Sequence, residues 1–274
     1  MKKLINKIRG KEKPKSVAIL PLKGAIMDNP RGLNLKGLLP ALTKIEKVGK
    51  KLDAIVLLIN SPGGSPVQSS LIASRIRYVA NKHKLPVYAF VEDVAASGGY
   101  WLACAADEIY GDANSIVGSI GVISSGFGFT DLIGKIGVER RVYTSGESKS
   151  QLDPFKPENE ADIARLKNIQ NEIHQSFIQW VESRRGEKLT KEYPLFTGEF
   201  WTAEQGKNLG LVDGLAHAYP WIKEKFGDGC EIKLFTKPQP MFRKLLGRGA
   251  LTSSLSDDLI VSAKEQNIWA RFGL

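Results

Sequence analysis

The chain has 274 residues, with 39 Lys and Arg against 29 Asp and Glu, a net charge of +10, and 42% hydrophobic residues, a balance that excludes bulk disorder. Two cysteines, Cys104 and Cys230, exclude a disulfide framework or a cysteine-based zinc cluster, and three dispersed histidines argue against a histidine metal site. The charge excess sits at the ends: residues 1–16 carry +6 and residues 236–274 carry +3, so the 219 residues between them, at +1, hold no basic stripe for nucleic acid.

In chain order, residues 1–15 form a basic tail. Met1, Leu4, Ile5 and Ile8 fall at helical spacing among lysines, which suits either a solvated tail or a short helix resting on an anionic membrane. No apolar stretch follows that would make a signal peptide or a membrane span, so a cytoplasmic protein is expected. Residues 17–26 read as a first strand broken by Pro21 and Gly24, and residues 33–48 as a helix with Leu35, Leu38, Leu39, Leu42 and Ile45 on one face. Residues 53–59 are an apolar run, read as a strand buried on both faces. A helix over 67–81 follows, then a strand over 86–91 and a helix over 100–106. Short strands are expected over 108–110, 120–123 and 141–144, a short helix over 129–136, and a long helix over 158–185. Strands alternating with helices call for a mainly parallel α/β sheet. Lys237-Pro238-Gln239-Pro240 reads as a hinge into an extension with one further helix near 257–272. The expected division is a tail over 1–15, one domain over 16–235 and an extension over 236–274.

In such sheets the chemistry collects in loops beyond the carboxyl ends of the strands. Two of these loops carry paired glycines, Ser61-Pro62-Gly63-Gly64 and Ala96-Ser97-Gly98-Gly99. Paired glycines let the backbone approach a ligand and offer N–H groups to an oxyanion. Ser97 stands where a helix begins, so it is either a nucleophile in the crevice or a plain N-cap. A serine nucleophile needs a base. The histidines are His83, His174 and His217, and each suits a structural place better than a catalytic one. The other solution is a lysine kept neutral by burial, as in Ser-Lys sites. A lysine pKa of ~10.4 must then fall to ~7–8, a change of roughly 4 kcal/mol that desolvation or a positive neighbour supplies. Lys149, in Gly146-Glu147-Ser148-Lys149-Ser150, is suggestive, but spacing alone does not choose it from so many basic residues.

At these residues the chain resembles the S49 family of serine peptidases, the signal peptide peptidase A type. Five pieces occur in family order between about residues 17 and 215: Asn60-Ser61-Pro62-Gly63-Gly64; Asp93-Val94-Ala95-Ala96-Ser97-Gly98-Gly99-Tyr100; Gly118-Ser119-Ile120-Gly121-Val122; Ser145-Gly146-Glu147-Ser148-Lys149 with Asp153-Pro154-Phe155; and a closing segment over 202–215 with Gly210-Leu211-Val212-Asp213. The resemblance implies the Clp protease/crotonase superfamily fold, a spiral of ββα units. It implies Ser97 as nucleophile, Lys149 as general base, and the N–H groups of Gly98 and Gly64 as oxyanion hole, with no metal or organic cofactor. In the family the serine and lysine of one site come from different subunits or from two halves of a tandem chain. One copy of each motif here implies a homo-oligomeric ring. Typical members carry an N-terminal membrane anchor that is not seen here, Gly206 stands in place of the usual alanine, and the segment from Thr236 has no match. The expected function is endopeptidase action on extended or hydrophobic peptides such as signal-peptide remnants. The alternatives are a crotonase-like acyl-CoA hydratase or isomerase, which needs carboxylates and no nucleophile, and a non-catalytic ring scaffold at the membrane.

Overall fold

Alternation along three consecutive strands sets the architecture. In β1 (Ser16–Lys23), β2 (Ala54–Ser61) and β3 (Val87–Ala96) nearly every residue is buried, which requires cover on both faces of the sheet. On one face Ala18, Leu20, Ile55, Leu57 and Ala89 pack against α1 (Leu35–Val48), through Leu38, Leu42 and Ile45, and α2 (Pro66–His83), through Ile72, Ile76 and Val79. On the other, Val17, Ile19, Val56, Tyr88 and Phe90 pack against Ala218 and Ile222 of α7 (Ala218–Phe226). Each fully buried Ile or Leu contributes ~1.5–3 kcal/mol, so this two-sided core dominates the stability. The computed structural model describes residues 14–146, 148–236, 266 and 268–273.

The sheet is α/β and mainly parallel, as the alternation predicts. Its order is β6-β5-β3-β2-β1-β8, with β5 (Ile116–Gly118), β6 (Phe200–Thr202) and β8 (Glu231–Leu234), and only the β5–β6 pairing is antiparallel. The length of β3 lets it serve two neighbours. Its first half pairs with β4 (Glu108–Gly111) and its last three residues with β5, so the sheet forks just before Ser97. β4 in turn carries the two-residue β7 (Gly214–Leu215). Between these strands lie α3 (Gly98–Ala103), α4 (Thr130–Lys135), α5 (Glu160–Arg185) and α6 (Ala203–Asn208).

Helix starts follow local chemistry. Asn34 accepts from the Gly37 N–H at 2.8 Å to cap α1, and Ser65 caps α2, whose first residue is Pro66. Two expected strands are absent. Residues 120–123 run beside the sheet without pairing, and residues 141–144 are mostly exposed with no strand to join. The tail over 1–13, the hinge at Lys237-Pro238-Gln239-Pro240 and most of the helix expected near 257–272 lie outside the described residues.

Candidate active site

Ser97 ends β3 and precedes α3, where the backbone must reverse within one residue. It has φ 52° and ψ −122°, a conformation that ordinary side chains rarely adopt and that stores about 1–3 kcal/mol of strain. Both sides hold it there. The Ser97 N–H donates to the Gly118 carbonyl at 2.8 Å, tying it to β5, and its carbonyl accepts from the Trp101 N–H at 3.0 Å, the first bond of α3. Its hydroxyl makes no capping bond to the helix, which removes the plain N-cap alternative.

The glycine loop after β2 lies against this turn. Gly64 has φ 139°, and a Cβ there would stand 2.2 Å from the Ile26 carbonyl oxygen. That close approach comes from a bridge in which the Ile26 N–H donates to the Gly63 carbonyl and the Ser65 N–H to the Ile26 carbonyl, each at 2.8 Å. The Gly64 N–H takes no part in this bridge. A Cβ on Gly98 would lie 3.4 Å from that nitrogen and 2.5 Å from the Ser69 Oγ. Neither the Gly64 nor the Gly98 N–H donates to another described residue. Two such donors therefore stand together beside a serine hydroxyl with no partner among the described residues, and all three residues line a cavity of about 570 Å³. This arrangement suits a negative oxygen developing on a group attached to Ser97.

Sequence reasoning missed the walls of this cavity. Trp101 of α3 stacks on Phe177 of α5 with ring centroids 4.9 Å apart, and the Trp180 indole N–H donates to the Trp101 carbonyl at 3.0 Å. Ser119 forms another wall together with Gly121 and Val122, which were expected on the strand over 120–123. Ser119 also has a positive φ, 52°, and its N–H donates to the Glu199 carbonyl at 2.6 Å. His174 lines the cavity too, with Nε2 3.1 Å from the Ile120 carbonyl oxygen, so that ring atom is committed to the wall. His217 pairs with Asp112 at 2.8 Å at a second, smaller cavity, and His83 packs on Gly49. Nothing in the spacing of the chain marked the aromatic wall, because its two halves lie some eighty residues apart.

Lys149 is elsewhere in the single protomer. It is exposed, its N–H donates to the Gly146 carbonyl at 3.2 Å, and it is not among the described residues that line the Ser97 cavity. It belongs to an arm over 122–159 that exposes several apolar side chains, Phe127 at 81% and Tyr143 at 91%, while Phe129 and Phe155 stack on each other with centroids 5.5 Å apart. The structure brings Ser97, Gly64 and Gly98 together and leaves Lys149 apart.

Behind the site, the closing segment acts as a buttress. The Tyr100 hydroxyl donates to the Leu211 carbonyl at 2.8 Å, and the buried Arg185 donates to the Gly210 carbonyl and to Asp213 Oδ2 at 2.9 Å. Burial pushes the Cys104 thiol up to about 12, so the one cysteine near α3 stays protonated and inert. No group of three or more His, Cys, Asp or Glu placed to hold a metal occurs among the described residues.

The family model described as Peptidase family S49 matches residues 79–224. A Synechocystis protein that carries a protease name is 30% identical over 95% of this chain and 92% of its own length. An Enterococcus faecium protein that carries the name signal peptide peptidase SppA is 28% identical over 74% of this chain and 61% of its own length. A Brucella melitensis protein named Na(+)/H(+) antiporter NhaA is 46% identical over 94% of this chain, and the match spans 37% of that protein's length. Among the described residues no helix is long and apolar enough to cross a membrane.

Proposed function

Since this chain belongs to peptidase family S49, we propose that it is a serine-type peptidase with Ser97 as its nucleophile and Lys149, delivered by a neighbouring copy, as its general base. The observation that carries the first half is the unpaired Ser97 hydroxyl on a strained turn beside two free amides. Neutral Lys149 takes the Ser97 proton as Oγ attacks the peptide carbonyl carbon. The oxyanion accepts from the Gly64 and Gly98 N–H groups, each such donor contributing about 3 kcal/mol in comparable sites. The leaving amine takes the proton from Lys149, and water then releases the acyl group. No step calls on a metal or an organic cofactor.

A lysine serves as base only when neutral, and burial against another subunit favours that form. The exposed apolar arm around Lys149 supports such a contact, and with it a homo-oligomeric ring. The aromatic and aliphatic walls support extended, apolar peptides as substrates, signal-peptide remnants among them, in keeping with the name of the Enterococcus relative. Cytoplasmic action, with residues 1–15 touching anionic lipid, belongs to the same proposal. A crotonase-like reaction is disfavoured because no carboxylate lines the cavity among the described residues.

A serine-directed fluorophosphonate probe tests the reading. It should label the wild-type oligomer and fail on Ser97→Ala. Lys149→Ala should abolish peptide turnover while the oligomer persists. Full turnover by Lys149→Ala, or an unlabelled wild type, overturns the assignment.

A further inference from the structure

The end of the chain returns to the site. Phe272 is buried against Val94 and Ala96, the residues of β3 just before Ser97, and meets Phe200 of β6 edge-on with centroids 5.2 Å apart. This contact places Ile268 and Arg271 in the wall of the Ser97 cavity. Arg271 is the one formally charged side chain among the described residues that line it. Its guanidinium lies over the Phe272 ring, 5.8 Å from the centroid, and has no acidic partner among the described residues. The rest of the wall is apolar or neutral, with Trp101, Val122, Ile173 and Phe177 contributing the apolar part.

A guanidinium with no acidic partner among the described residues, at the edge of an apolar cleft, is matched by a carboxylate next to an apolar side chain, because the planar fork binds carboxylates in bidentate fashion. Resting on the peptidase reading above, we propose that Arg271 is a specificity-determining residue: it selects peptides that carry a carboxylate close to the scissile bond. The carboxylate comes either from the substrate's own C-terminus or from an Asp or Glu side chain, and the chemistry at Arg271 is the same. In this arrangement the C-terminal segment completes the substrate cleft.

The test uses the full chain and two pairs of fluorogenic peptides that share one apolar sequence. One pair differs only in a free or amidated C-terminus. The other is amidated and differs only in an internal Glu or Gln. Wild type should show a KM about tenfold lower for the carboxylate member of at least one pair, and which pair responds identifies the source. Arg271→Ala should bring that ratio to about one, and Arg271→Glu should invert it. A ratio of one in wild type, or a ratio that survives in Arg271→Ala, overturns the proposal. Binding of the same peptides to Ser97→Ala, read by fluorescence anisotropy, separates this outcome from failure of the peptidase reading. A tenfold Kd preference that is lost when Arg271→Ala is added supports the role even if no peptide is cleaved. Equal Kd values overturn it even if cleavage is robust.

Discussion

At Ser97, strain and chemistry are the same feature. A backbone with φ 52° and ψ −122° lifts the hydroxyl away from the helix it precedes and leaves it unpaired. Glycine takes up positive φ freely, whereas alanine keeps the strain and loses only the hydroxyl. Part of the gain is offset, because glycine adds freedom to the unfolded chain, by about 0.5–1 kcal/mol. Both Ser97→Ala and Ser97→Gly should therefore be unlabelled by a fluorophosphonate, but Ser97→Gly should be the more stable by about 1 kcal/mol in urea unfolding. A Ser97→Ala variant as stable as Ser97→Gly would mean that the turn is not strained in solution. This residue and its two glycine neighbours were legible in the sequence because each glycine pair ends an apolar run, and such punctuation survives without any knowledge of tertiary contacts.

At the scale of elements, legibility followed burial. Residues 53–59 announced β2 because a strand covered on both faces is apolar at every position. β6, β7 and β8 have only 3, 2 and 4 residues and are mostly exposed or half-buried, so no periodicity marked them. Residues 120–123 look like a strand for the opposite reason: Ile120, Val122 and Ile123 are β-branched, but the segment forms part of the cavity wall and joins no strand of the described sheet. Arg185 was invisible among the charges ending α5, yet it is 3% exposed and joins α5 to the closing loop through Asp213 and Gly210. Asp213 also accepts from the Ile109 N–H and from Lys188, so one carboxylate gathers β4, α5 and the loop behind α3. Burial alone would raise the Asp213 pKa, but the Arg185 and Lys188 hydrogen bonds prevail and hold it below the usual carboxylate value. A depressed folded pKa contributes stability above the unfolded pKa, about 3.9, and that contribution is lost as pH falls through the folded value. The wild type should therefore lose stability as pH drops below about 4, and Asp213→Asn should flatten this part of the acid limb. At neutral pH the same variant should be less stable by about 3 kcal/mol, because it leaves the Arg185 charge buried without its partner. Melting curves of both proteins from pH 7 downward check the two effects, and an acid limb unchanged in Asp213→Asn would remove Asp213 from the account.

For the whole molecule, the arrangement to account for is a half site built within one chain and a lysine that does not line it. The turn at Ser97, the two amides and the aromatic wall are complete within one chain, while Lys149 sits on an arm that buries almost nothing of its own. α4 has no buried residue, and the buried residues of the 26-residue α5 are Phe177, Val181 and Arg185, all in its second half. An arm that carries Lys149 and exposes Phe127, Ile136 and Tyr143 has apolar surface suited to a second copy. If the arm of one subunit serves the serine of the next, the two half sites are separable by mutation. Ser97→Ala subunits keep a working lysine, and Lys149→Ala subunits keep a working serine. Each homogeneous oligomer should be inactive. Subunits mixed at equal amounts after dissociation and reassembly should regain about one quarter of wild-type turnover, the chance that an intact serine meets an intact lysine across a repeated head-to-tail interface. Turnover proportional to the product of the two subunit fractions, highest at equal ratio and vanishing toward either pure variant, would carry the same signature. Mixtures that assemble yet stay inactive at every ratio would place the serine and its base within one chain and require the arm over 122–159 to fold back onto its own Ser97.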